Sequence, residues 1–99
     1  MKVNIQAVGF VANIKLETFI QSKLNKLLKY DDDVIGVEVF LRLEKSNSID
    51  NRIVEISLDI KGADLFAKKQ SQTFEESADL VVEALRRQLK KHKEKLRAK

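Results

Sequence analysis

From Phe74 onward, Ala78, Val81, Leu85, Leu89, His92 and Leu96 recur at spacings of three and four. That pattern describes one helix with a single apolar stripe. Thr73 with Glu76 three positions on is a capping box that starts it. At 1.5 Å per residue, about 24 residues reach roughly 36 Å, so the last turns are expected to run past whatever layer lies beneath. A stripe on one side only needs an apolar partner layer, and the rest of the chain has to supply it. The other side of this helix is cationic. Arg86 to Lys99 holds eight Lys/Arg against one acid, Glu94, a net charge of +7, whereas residues 1 to 85 hold eleven against fourteen, or −3.

Strands are legible upstream. Val3, Ile5 and Ala7 alternate with Lys2, Asn4 and Gln6, predicting a strand over residues 2 to 8 before Gly9 turns the chain. Asn13 then caps a helix expected from about 14 to 30, with Leu16, Phe19, Ile20, Leu24, Leu27 and Leu28 on one side and Asp31-Asp32-Asp33 as a solvated turn that ends it. Three further strands are predicted. Val34 to Lys45 carries Val37, Val39, Leu41 and Leu43 inward, Arg52 to Lys61 carries Val54, Ile56, Leu58 and Ile60, and Ala63 to about Gln70 carries Leu65 and Ala67. Ser46 to Asn51 forms a polar hairpin loop, and Gly62 permits a tight turn. The order is βαβββα. It implies an α+β sandwich like that of double-stranded-RNA-binding domains, with two helices on one face of a four-stranded sheet and the other face open.

The chain has no Pro, no Cys and three Gly, so no linker separates a second domain, and residues 1 to 99 are expected to form one. Without cysteine there is no disulfide framework, Cys-ligated zinc or thiol chemistry, which suits a reducing cytoplasm. No apolar run approaches the length of a leader or a membrane span.

Concentrated positive charge selects a polyanion as partner. Basic residues at a helix C-terminus also complement its dipole, but that effect fades within the last turn and does not account for eight of them. The first helix adds Lys23, Lys26 and Lys29, which stand beside its apolar stripe and would flank one groove with the bases of the second. The expected nucleic-acid contacts are Lys23, Lys26, Lys29, Arg86, Arg87, Lys90, Lys91, Lys93 and Lys95.

Several segments resemble one family over essentially the whole chain. They are Lys23-x-x-Lys26-Leu27 followed by Tyr30, the turn and strand Lys61-Gly62-Ala63-Asp64-Leu65-x-Ala67, and above all Leu85-x-Arg87-Gln88-Leu89-x-Lys91-His92-Lys93-x-Lys95. They look like the bacterial ribosome hibernation factors, the ribosome-associated inhibitor and hibernation-promoting factor family. The resemblance implies a monomer when free that binds rRNA of the small ribosomal subunit in the channel for mRNA and tRNA anticodon arms, keeping idle ribosomes out of translation. It implies phosphate contacts for Lys23, Lys26, Arg87, Lys91, Lys93 and Lys95; Arg86 and Lys90 extend that surface outside the motif. The chain departs from the pattern at Ala84, a frequent basic position, at Asn13, where a capping Thr is usual, and in the segment Thr73 to Asp79. Ending at Lys99, it matches a compact short form best.

Catalytic chemistry is not expected. His92 is the only histidine and has cations for neighbours; it reads as a partly packed boundary residue or an RNA contact. Three adjacent aspartates diverge and lack the EF-hand spacing. No cofactor, metal or small-molecule substrate is expected. Phe40 and Phe66 fall out of phase with the inward residues of their strands and could mark a stacking surface on the open face. Two other readings stay open: a general double-stranded-RNA binder, and a module docking an acidic protein or an anionic membrane. Membrane insertion conflicts with the apolar stripe's duty to cover the sheet.

Overall fold

The computed structural model of the chain describes residues 2–29, 31, 33–44 and 49–97, with backbone alone for 96 and 97. Tyr30, Asp32, Lys45 at the end of the expected second strand, residues 46–48 of the expected hairpin loop, the Leu96 side chain and Lys99 lie outside the described residues.

The elements follow the predicted order: β1 Lys2–Val8, α1 Ile14–Leu27, β2 Val34–Leu43, β3 Arg52–Ile60, β4 Ala63–Ser71 and α2 Phe74–Arg97. They form an α+β sandwich whose single sheet has the strand order β1-β2-β3-β4. β1 pairs with β2 in parallel, with α1 as the crossover that such a pair needs, and the two hairpin pairings are antiparallel. The alternation along the strands decides which face meets the helices. Val37, Val39 and Leu41 of β2, Val54, Ile56, Leu58 and Ile60 of β3 and Ala67 of β4 are buried against Leu16, Ile20, Leu24 and Leu27 of α1 and Ala78, Val81, Val82, Leu85 and Leu89 of α2.

α1 and β2 end earlier than the sequence reading, and β2 carries an irregularity that the reading lacked. α1 stops at Leu27 with Leu28 as its C-cap, not at 30; Leu28 is buried and its N–H still reaches the Leu24 carbonyl at 2.9 Å. The aspartates beyond it would face the negative pole of a longer helix, which disfavours extension. β2 ends at Leu43, although the Glu44 N–H continues the hairpin to the Asn51 carbonyl at 3.0 Å. Near its start β2 also slips register between Val34 and Gly36, leaving Ile35 60% exposed while Val34 and Val37 both point inward. One extra residue resets the alternation, as a β-bulge does.

Caps and turns follow local chemistry. The Leu16 N–H donates to Asn13 Oδ1 at 2.8 Å, and the Glu76 N–H donates to Thr73 Oγ1 at 3.1 Å. Of the capping box only that half forms as drawn, because the Thr73 N–H donates to Ser71 Oγ at 3.4 Å. Gly62 turns β3 into β4 at φ +86°, a conformation that an L side chain resists.

Candidate nucleic-acid interface

Helix α2 presents its bases in two rows, and the rows follow from 3.6 residues per turn. Arg86, Lys90 and Lys93 lie on the flank that faces α1. With Lys26, Leu27, Asp31 and Leu89 they wall a groove of about 230 Å³ between the two helices. Arg87, Lys91 and Lys95, spaced i, i+4 and i+8, form the second row about a third of the way round the helix, and all three are exposed. Glu94 falls between the rows. The outer surface of α2 is therefore cationic on both sides of its crest, while the stripe through Leu85 and Leu89 stays buried on the sheet.

Of the nine residues singled out by sequence, the groove brings together Lys26, Arg86, Lys90 and Lys93. Lys23 does not line it. Its Nζ lies 2.9 Å from the Asp79 carboxylate of α2 and 5.4 Å from the centre of the Phe19 ring. Lys29 stands exposed past the end of α1, also outside the groove walls. Two groove cations pair with the domain's own acids: Lys93 Nζ lies 2.5 Å from Asp31 Oδ1, and Arg86 is bonded to Glu83 one turn before it. Lys26, Arg87, Lys90, Lys91 and Lys95 have no carboxylate within ion-pair distance among the described residues.

Asp31 corrects the reading of a solvated aspartate turn. Its side chain is 10% exposed and ion-paired. The i, i+1, i+2 run of aspartates gave no sign of this, because only the packing of α2 over the end of α1 brings Lys93 to it. Among the described residues no group of three or more His, Cys, Asp or Glu is arranged to hold a metal.

Gln88, the most distinctive residue of the C-terminal motif, works inward. Its Nε2 donates to the Phe66 carbonyl at 2.9 Å, satisfying a backbone acceptor on the edge strand β4. His92 is half-buried with Nε2 shielded and without a hydrogen-bond partner, in keeping with a packed boundary residue. Ser77, unremarked in the sequence, is fully buried, and its hydroxyl bonds to the Arg52 carbonyl and to Ser71 Oγ, each at 2.7 Å.

The open face of the sheet carries the two out-of-phase aromatics. Phe66 is 51% exposed. Phe40 is partly covered by the Arg42 guanidinium, 5.3 Å from its ring centre, and Arg42 is held in turn by Glu55 at 2.7 Å. Phe10 and Phe74, by contrast, stack at 4.8 Å between centroids. No helix among the described residues is long and apolar enough to cross a membrane.

Chemically, ammonium and guanidinium groups along both sides of an exposed helix bind phosphate oxygens by charge-assisted hydrogen bonds and counterion release. Comparison with known proteins gives the following similarities. The model of the family described as sigma 54 modulation protein / S30EA ribosomal protein matches residues 3–97. The chain is 30% identical to a ribosome hibernation promoting factor of Escherichia coli (strain K12) over 97 residues, covering 98% of each chain. It is also 30% identical to one of Azotobacter vinelandii over 95 residues, 96% of this chain and 85% of the relative. Among solved structures, a ribosomal subunit interface protein from Coxiella burnetii superposes with a TM-score of 0.85 at 20% identity, covering 94% of this chain and 98% of the other. The N-terminal domain of Thermus thermophilus Protein Y does so with 0.75 at 20%, covering 92% and 94%.

Proposed function

This chain belongs to the sigma 54 modulation protein / S30EA ribosomal protein family, and from that membership we propose how it carries out a ribosome-associated hibernation role. That role is one of binding and not of catalysis. It is exercised in the cytoplasm, where ribosomes are. The finer reading is that the two-helix surface binds rRNA of the small subunit in the channel for mRNA and tRNA, and silences translation by occupying it.

One observation carries this reading. On a fold whose sheet buries the stripes through Leu24 of α1 and Leu85 and Leu89 of α2, five cations, Lys26, Arg87, Lys90, Lys91 and Lys95, stand along α1 and α2 with no carboxylate partner among the described residues. A body of 49 × 24 × 18 Å held by such a surface excludes other ligands by volume alone. No bond is made or broken.

Co-sedimentation with small ribosomal subunits tests it. Binding weakens as salt rises, with a log–log slope of about −0.7 to −0.9 per phosphate engaged. Arg87→Glu with Lys91→Glu abolishes it while leaving thermal stability intact, since both residues are exposed. Unchanged sedimentation of that double variant would overturn the reading. A general duplex-RNA binder, the second reading, would bind a plain RNA duplex as tightly as it binds subunits.

A further inference from the structure

The groove between the helices already contains an anion. Asp31 Oδ1 lies 2.5 Å from Lys93 Nζ, the Asp31 side chain is nine-tenths buried, and the other polar walls of the groove are Lys26, Arg86 and Lys90. The backbone keeps the carboxylate at the groove. The Asp31 N–H donates to the Leu28 carbonyl at 3.1 Å, and the Val34 N–H donates to the Asp31 carbonyl at 3.4 Å, so residue 31 is held in the turn that closes α1. Four cations from two helices repel one another, and an acid in their midst relieves that repulsion.

We propose that Asp31 is a built-in competitor for an RNA phosphate: its carboxylate holds Lys93, which with Lys26 and Lys90 on the same groove would otherwise seat a phosphate, and a bound phosphate takes Lys93 from it. The proposal rests on the reading that this surface meets RNA, and it adds how the surface discriminates. A carboxylate and a phosphate accept the same ammonium hydrogen bonds, so the two exclude each other at one seat. A flexible polyanion that touches the groove alone must displace Asp31 for a single contact. A shaped partner that also engages the second row, Arg87, Lys91 and Lys95, has further contacts to offset that displacement. Asp31 thereby lowers affinity for arbitrary RNA more than for a surface complementary to both rows, which makes it a residue that sets specificity.

The test uses the full chain, purified small subunits and poly(U) as the arbitrary polyanion, each titrated over a salt series. Asp31→Asn is expected to tighten poly(U) binding about fivefold to tenfold and to steepen its salt slope by about 0.7, one further phosphate on a single strand. The gain for small subunits is expected to be smaller. Asp31→Asn with Lys93→Gln removes both partners at constant net charge, and is expected to bind poly(U) as the wild type does. Asp31→Asn that binds no tighter, with an unaltered slope, overturns the proposal. If that single variant does not fold, the double variant decides: a loss of tenfold or more means that Lys93 is already engaged with RNA in the wild type and that Asp31 does not compete for it. A wild-type chain that binds poly(U) but ignores small subunits would sink the ribosomal reading, while the poly(U) series still settles the role of Asp31.

Discussion

Lys23 Nζ lies 2.9 Å from the carboxylate of Asp79, so an ion pair bridges α1 and α2 near the middle of the first helix and the start of the second. The packed Leu24 of α1 and the Ala78, Val81 and Val82 of α2 already hold the helices in place, and the pair sits above them, half exposed. Lys23 is therefore tied up between helices, although its spacing from Lys26 suggested an outward contact.

Asp79→Asn should cost little stability. Pairs this exposed contribute about 0.2–1 kcal/mol. In a domain of this size that lowers Tm by about 1–6 °C, read by a thermal melt, and the loss shrinks as salt screens the pair. A drop well beyond that range would mean that the pair, and not the apolar packing, sets the spacing of the helices.

Gln88→Ala separates packing from the proposed binding in the C-terminal motif. Losing the bond to the Phe66 carbonyl costs about 1 kcal/mol and bares an acceptor on the edge strand. Urea denaturation should show a lower midpoint while binding to small subunits, corrected for the folded fraction, is unchanged. Arg87→Glu, one residue earlier, should do the reverse. A Gln88→Ala variant that folds normally but no longer binds would move this residue into the interface.

Ser77→Ala probes the junction of α2 with β3. The hydroxyl is completely buried and satisfies the Arg52 carbonyl and Ser71 Oγ. Removing it takes the hydroxyl donor from the Arg52 carbonyl, while Ser71 Oγ keeps the Thr73 carbonyl and N–H, at a cost of about 1–3 kcal/mol. Against a total stability of about 5–15 kcal/mol this is a large fraction, visible as a lower urea midpoint with an unchanged m-value. A midpoint within error of the wild type would mean that the Arg52 carbonyl finds another donor.

Much of the candidate interface was legible because charge needs no partner to be seen. Eight bases in the last fourteen residues are a property of composition. Their division was not legible. Lys93 and Arg87 are equivalent on paper, yet one faces the groove with a buried carboxylate and the other faces solvent. Gln88 likewise reads as part of a basic recognition motif until β4 is placed beside it.

Local periodicity by itself determined the elements and their order, since alternation of period two and a stripe of period 3.6 each commit a segment to bury one face. Capping and turn chemistry did the same for their ends, at Asn13, Thr73 and Gly62. The tertiary structure decided what lies far apart in the chain and close in space: the bulge that turns Ile35 outward, the Ser77 bridge to Arg52, and the seating of Asp31 against Lys93. Such pairings depend on where one packed element sets down on another, and a one-dimensional pattern carries no record of that distance.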